Sequence, residues 1–177
     1  MHIIPSEDED PIMRLYAHYF CPSDLMYRHY ENLNSEYDRK SKLSAEKSVN
    51  MLSYMYFWLS SLCVVYEGFT AKEIQNSLMP LNDLNPVIKM HCTSINHQHG
   101  QIGKELKRFR NATFHFQTSA SKHVEFLRAG EGRDPMNWAR SFHNEFRMLF
   151  KKYQIERTVY YMFQTDSVNV QTNATRK

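Results

Sequence analysis

The run from Met51 to Tyr66, MLSYMYFWLSSLCVVY, constrains this chain most. It carries no charge over 16 residues and only three serines, Ser53, Ser60 and Ser61, yet it falls short of the roughly 20 predominantly apolar residues that a membrane span needs. The reading is a buried helix. Ser44, Ala45, Glu46 and Lys47 lead into it and Gly68 is the first strong stop signal, which predicts a helix of about 23 residues. A helix apolar on nearly every side must be surrounded by other helices, so this one belongs at the centre.

A chain of 177 residues is the size of one ordinary domain, and large side chains dominate over turn formers: 11 Phe, 11 Tyr and 10 Met against 5 Gly and 6 Pro. Helix signals recur along it. Acidic residues ahead of Pro11 suit a helix start over about 10 to 20, and a polar, tyrosine-rich segment suggests another around Asp24 to Glu36. Thr70 to Glu73 reads as a cap followed by helix, Pro80 to Asp83 as a turn, and Pro86 as the opening of a helix through His91 to Phe109, weakened locally by Gly100 and Gly103. Gly130 to Arg133 reads as a loop and Asp134-Pro135 as a cap with proline at the first helical position. Trp138, Phe142, Phe146, Leu149 and Tyr153 recur at spacings of four, four, three and four, one face of a long amphipathic helix reaching about Gln164. With no alternating apolar strand, the predicted class is all-α: an up-and-down bundle of about four long helices with short accessories. Residues 1–165 form the domain, and 166–177 are a polar, frayed tail.

Compartment and chemistry classes follow from what the chain carries. Cys21, Cys63 and Cys92 are odd in number, form no CxxC pair and read as reduced thiols. The first ten residues lack the basic and apolar regions of a secretory signal, which makes the cytoplasm the expected location, with no membrane partner. His91, Cys92, His97 and His99 are metal-capable, but their spacing does not match the usual paired ligand sets, so neither a metal nor another cofactor is expected. No glycine-rich phosphate loop is present, and no paired carboxylates or Ser-His arrangement suggest hydrolase chemistry. The net charge of +3 is too small to identify a nucleic-acid partner, because phosphate binding depends on where the cations cluster.

One segment stands apart: Gln101 to Gln117, QIGKELKRFRNATFHFQ. Wound as a helix, it puts Ile102, Leu106, Phe109, Thr113 and Phe116 on a core-facing stripe and Lys104, Arg108, Asn111 and His115 on an outward one. Within it, Arg110-Asn111-Ala112-Thr113-Phe114-His115 resembles the Arg-x4-6-His signature of HEPN domains, in which a polar residue commonly follows the arginine. The resemblance implies a HEPN-like helical bundle and a metal-independent endoribonuclease of toxin-antitoxin or abortive-infection type. Its 2′-hydroxyl attack would leave a 2′,3′-cyclic phosphate, and its partners would be RNA, a second copy of the chain and an antitoxin protein.

Such a reaction needs a base for the 2′-hydroxyl proton, a cation for the charge growing on phosphate and an acid for the leaving oxygen. His115 suits the base and Arg110 the clamp, with Asn111 one turn before the imidazole. Lys104, Lys107 and Arg108 are candidate RNA-phosphate contacts. The acid is absent from this set, and a two-fold dimer would supply it as a second His115. Helical geometry complicates the clamp, since Arg110 lies about 140° round the helix from His115 and Arg108 only about 20°. Three resolutions stay open: a helix break near Phe109 to Asn111, Arg108 as the functional cation, or a site assembled across the dimer. The competing reading from another class is a catalytically silent bundle that binds a partner protein or nucleotide.

Overall fold

The computed structural model describes residues 10–114, 121–128 and 134–174, with side chains except at 82–84, 101 and 157–174. Helices α1 (Pro11–Leu15), α2 (Cys21–Lys40), α3 (Ala45–Phe69), α4 (Lys72–Leu84), α5 (Pro86–Phe114), α6 (Ser121–Leu127) and α7 (Pro135–Ala174) account for nearly all of them, with a π-helical turn at Tyr16–Phe20 joining α1 to α2. Among the described residues there is no strand.

Local chemistry sets most of the helix starts. Asp10 Oδ1 accepts from the amides of Ile12 and Met13, Ser44 Oγ from Lys47, Asn85 Oδ1 from Val87 and Ile88, and Asp134 Oδ1 from Asn137. Each satisfies donors that a helix N-terminus leaves unpaired. Three boundaries differ from the sequence reading. Thr70 is no N-cap: its hydroxyl donates to the Glu67 carbonyl at the end of α3, and Ala71 opens α4. Pro80 does not end α4 in a turn, because buried Ile74 and Leu78 and the core-packed Leu81 hold the helix on through Leu84. The last helix runs past Gln164 to Ala174. The expected loop at Gly130 to Arg133 lies outside the described residues.

The four long helices alternate in direction. Glu36 meets Lys47 while Ser23 meets Trp58, so α2 and α3 are antiparallel. Tyr66 stacks on His99 while Phe57 contacts Phe114, making α3 and α5 antiparallel. His91 bonds Glu145 while Trp138 reaches Gln98, which does the same for α5 and α7. Arg147 bonds Asp24 and Arg140 bonds Glu31, closing the ring between α7 and α2. The fold is an up-and-down four-helix bundle with short accessory helices. Among the described residues, α3 alone has the length and composition to cross a membrane. Its Trp58, Leu59, Leu62, Cys63 and Val65 are instead packed inside the bundle at 1% exposure or less.

The helix α5 is kinked at Ile102, where φ −136° and ψ 16° leave the helical region between Gly100 and Gly103. The two glycines do different work. A Cβ on Gly103 would clash with the edge atoms of the His99 ring, which lies flat on Tyr66 with centroids 3.4 Å apart; a Cβ on Gly100 would meet nothing within 4 Å. Gly100→Ala is therefore expected to gain up to about 1 kcal/mol from helix propensity. Gly103→Ala should lose about 1–3 kcal/mol, because the overpacking outweighs the same propensity gain. Urea denaturation of the two variants checks this, and equal shifts in one direction would refute the distinction.

Candidate functional site

The second half of α5 presents the segment singled out in the sequence. Ile102, Leu106 and Phe109 are buried and Thr113 is half-buried, while Lys104, Lys107, Arg108 and Asn111 are exposed. His115 and Phe116 lie outside the described residues. The helix is continuous from Gly103 to Phe114, so no break between Phe109 and Asn111 swings Arg110 round; the irregularity sits at Ile102 instead. Buried Phe109, in ring contact with Phe126 and His123, holds this part of α5 against the bundle.

Arg108 and Arg110 consequently serve different neighbours. The guanidinium of Arg110 turns to α3, where Nη1 and Nη2 donate to the two oxygens of Glu67 at 2.9 and 3.2 Å. Lys107 Nζ lies 3.6 Å from the same carboxylate. Arg108 turns to α6 and sits 3.6 Å from Glu125, which Lys122 also approaches at 3.1 Å. Its side chain is 62% exposed against 22% for Arg110. A fork held by two parallel bonds is committed to its partner, whereas a long contact on an exposed chain is readily exchanged. The structure thus brings Arg110 and Lys107 together on one carboxylate and separates both from the outward row of Lys104, Arg108 and Asn111.

Charge concentrates here. Residues 104–128 hold six cations, Lys104, Lys107, Arg108, Arg110, Lys122 and Arg128, against two carboxylates, Glu105 and Glu125. That surplus of four exceeds the +3 of the whole chain, so the remainder is slightly acidic. Beside this face, Ser121, Val124, Glu125 and Arg128 line a hollow of about 430 Å³.

Three imidazoles that the sequence reading gave no role in such a site pack close to these residues or across the bundle. His123 of α6 lies flat against Tyr56 at 4.5 Å between centroids and reaches Thr113 Oγ1 at 3.2 Å. Thr113 gives its own proton to the Phe109 carbonyl, so His123 Nε2 is the donor in that pair. Its pKa is lowered by burial, as is that of His99, which Glu67 partly offsets. The third, His143, is fully buried between α2, α3 and α7. Trp58 Nε1 can only donate, at 3.2 Å, so His143 Nδ1 accepts and its Nε2–H donates to Asp24 at 3.0 Å. Asp24 also takes two bonds from Arg147, and these donors, His143 first, hold its carboxyl down at about 2. No local sequence signal could have found this array, whose members come from three helices.

Burial pushes the Cys63 and Cys92 thiols to about 12 and about 11, far from thiolate formation near neutrality. Among the described residues no three His, Cys, Asp or Glu side chains are grouped to hold a metal. Compared with protein-family models, with curated proteins and with solved structures, the chain matches none.

Proposed function

We propose that this chain is a HEPN-like, metal-independent endoribonuclease that acts in the cytoplasm as a toxin or defence effector. The observation that carries the reading is the charge surplus on α5 and α6, where a slightly basic protein collects more than its whole net charge on a single stretch. Lys104 and Arg108, exposed on one side of α5, are suited to first contact with RNA phosphates, with Lys107 and Arg110 next to them on the α3 side. His115 supplies the base and Asn111 orients it or the ribose. A two-fold dimer supplies the second imidazole as acid, and an antitoxin protein would hold the activity in check. The carryover of Arg110, Asn111 and His115 rests on their match to the family motif.

One contact favours the silent bundle instead: the Arg110 fork is already filled by Glu67, as in a structural ion pair. Cleavage of single-stranded RNA in the presence of a chelator separates the two readings. The nuclease should yield 2′,3′-cyclic phosphate ends, and His115→Ala should slow it at least about 100-fold. Arg108→Ala and Arg110→Ala, assayed separately, assign the phosphate clamp. Undiminished cleavage by His115→Ala would remove His115, and with it the HEPN-like site, from the reading, and absence of cleavage together with induced expression without growth arrest would favour the silent bundle.

A further inference from the structure

The Arg110–Glu67 contact has the form of phosphate recognition with a carboxylate in the phosphate's place. A guanidinium fork pairs equally well with two carboxylate or two phosphate oxygens, and Lys107 adds a point charge to the same group. Glu67 sits in the last turn of α3, where the helix dipole disfavours a negative charge and no basic residue lies on the same turn. Its place there depends on cations from α5. The clasp is also incomplete, because Arg110 Nε is buried with no acceptor among the described residues. Both partners reach solvent, Glu67 at 36% and Arg110 at 22% of their side-chain area, so an incoming anion can compete without opening the core.

We infer that Glu67 is an internal stand-in for a phosphodiester and sets how tightly this face takes RNA, an inference that rests on the RNA reading above. Lys104 and Arg108 engage the polyanion first. Arg110 and Lys107 join only when an RNA phosphate displaces the Glu67 carboxylate, which makes Glu67 an affinity-determining residue that acts by competition. A purely structural ion pair admits no phosphate in its place, so its loss would leave the number of phosphate contacts, and with it the salt dependence of binding, unchanged.

The test measures binding of a 2′-O-methylated single-stranded oligoribonucleotide, which cannot be cut, to the full chain over a range of salt. Glu67→Gln keeps the shape and one acceptor for Arg110 while removing the competing charge. It should bind about tenfold tighter than the native chain. The slope of log affinity against log salt should steepen by about 0.7, for one more phosphate contact on a single strand. Glu73→Gln removes an equal charge from α4, where Glu73 pairs with Arg14 rather than with Arg110 or Lys107, and should change affinity less than about twofold and leave the slope unchanged. Circular dichroism reports folding. Should Glu67→Gln fail to fold, Glu67→Asp, too short to hold both nitrogens, should tighten binding by a smaller factor. Native binding with no gain in the folded variants, a gain without the steeper slope, or a gain matched by Glu73→Gln, overturns the inference alone. Absence of binding by the native chain and both variants overturns the RNA reading and the inference with it.

Discussion

Trp58→Ala is expected to cost about 4 kcal/mol of folding stability, the largest effect of any single substitution considered for this chain. Trp58 is fully buried at the middle of the central helix and contacts Tyr27, Tyr30 and His143. Truncation would remove the apolar area of an indole, leave a cavity between α2, α3 and α7, and strip His143 Nδ1 of its donor. The two contributions can be separated. Trp58→Phe fills most of the volume but gives no N–H, so it should cost about 1–2 kcal/mol for a buried acceptor left unpaired plus a smaller packing loss. Urea denaturation followed by circular dichroism measures both. A loss under about 1 kcal/mol for Trp58→Ala would mean that α3 is not the centre of the bundle.

Acid should destabilise the protein in two stages, both of the same sign. His143 is neutral in the fold, with one ring nitrogen accepting and the other donating, and burial lowers its pKa below the ordinary 6.5. As pH falls below about 6.5 the unfolded chain takes up protons that the folded chain refuses, so stability is complete above that value and declines beneath it. His99 and His123, also lowered by burial, add to the decline. The second stage belongs to Asp24. Its carboxyl, held at about 2 against an ordinary 3.8, contributes about 2 kcal/mol that is present above pH 3.8 and lost as pH falls towards 2. Asp24→Asn should abolish the second stage and lower stability at neutral pH, because Arg147 and the His143 Nε2–H lose a charged acceptor. Unfolding free energies measured across this range give the result directly. Stability that stays level from neutral pH down to 4 would show that the buried imidazoles are not neutral in the fold.

The helices were largely legible because their signals are short-range. The lead-in from Ser44 to the apolar run, Pro86 and Pro135 as first helical residues, and the Trp138 to Tyr153 stripe each involve residues a few positions apart. The Gly100 and Gly103 pair marked the weak point of α5, and the kink lies between them. At Thr70 the hydroxyl is taken by the Glu67 carbonyl at the end of α3, and at Pro80 packing overrides a local preference: Ile74, Leu78 and Leu81 hold α4 on the core through a proline that alone would favour a turn.

Of the candidate site, the exposed row of Lys104, Arg108 and Asn111 could be read from helical phase, but the fate of Arg110 could not. Its distance round the helix from His115 follows from the sequence; that the other side of α5 meets a carboxylate 43 residues earlier does not. Glu67 carried no local mark, sitting at the polar end of an apolar run whose neighbours all pointed to burial.

What the sequence determined by itself is a chain of amphipathic helices around one apolar helix, since hydrogen bonding within a helix and its hydrophobic face depend only on residues within a turn or two. Tertiary structure alone decided which side chains meet: Asp24 with His143 across 119 positions, Trp58 with His143 across 85, and Glu67 with Arg110. Those pairings depend on how the helices are rotated and offset against one another, which is set jointly by the packing of Phe109, Phe142, Phe146 and Trp58 and by the kink at Ile102, and no stretch of neighbouring residues contains that information.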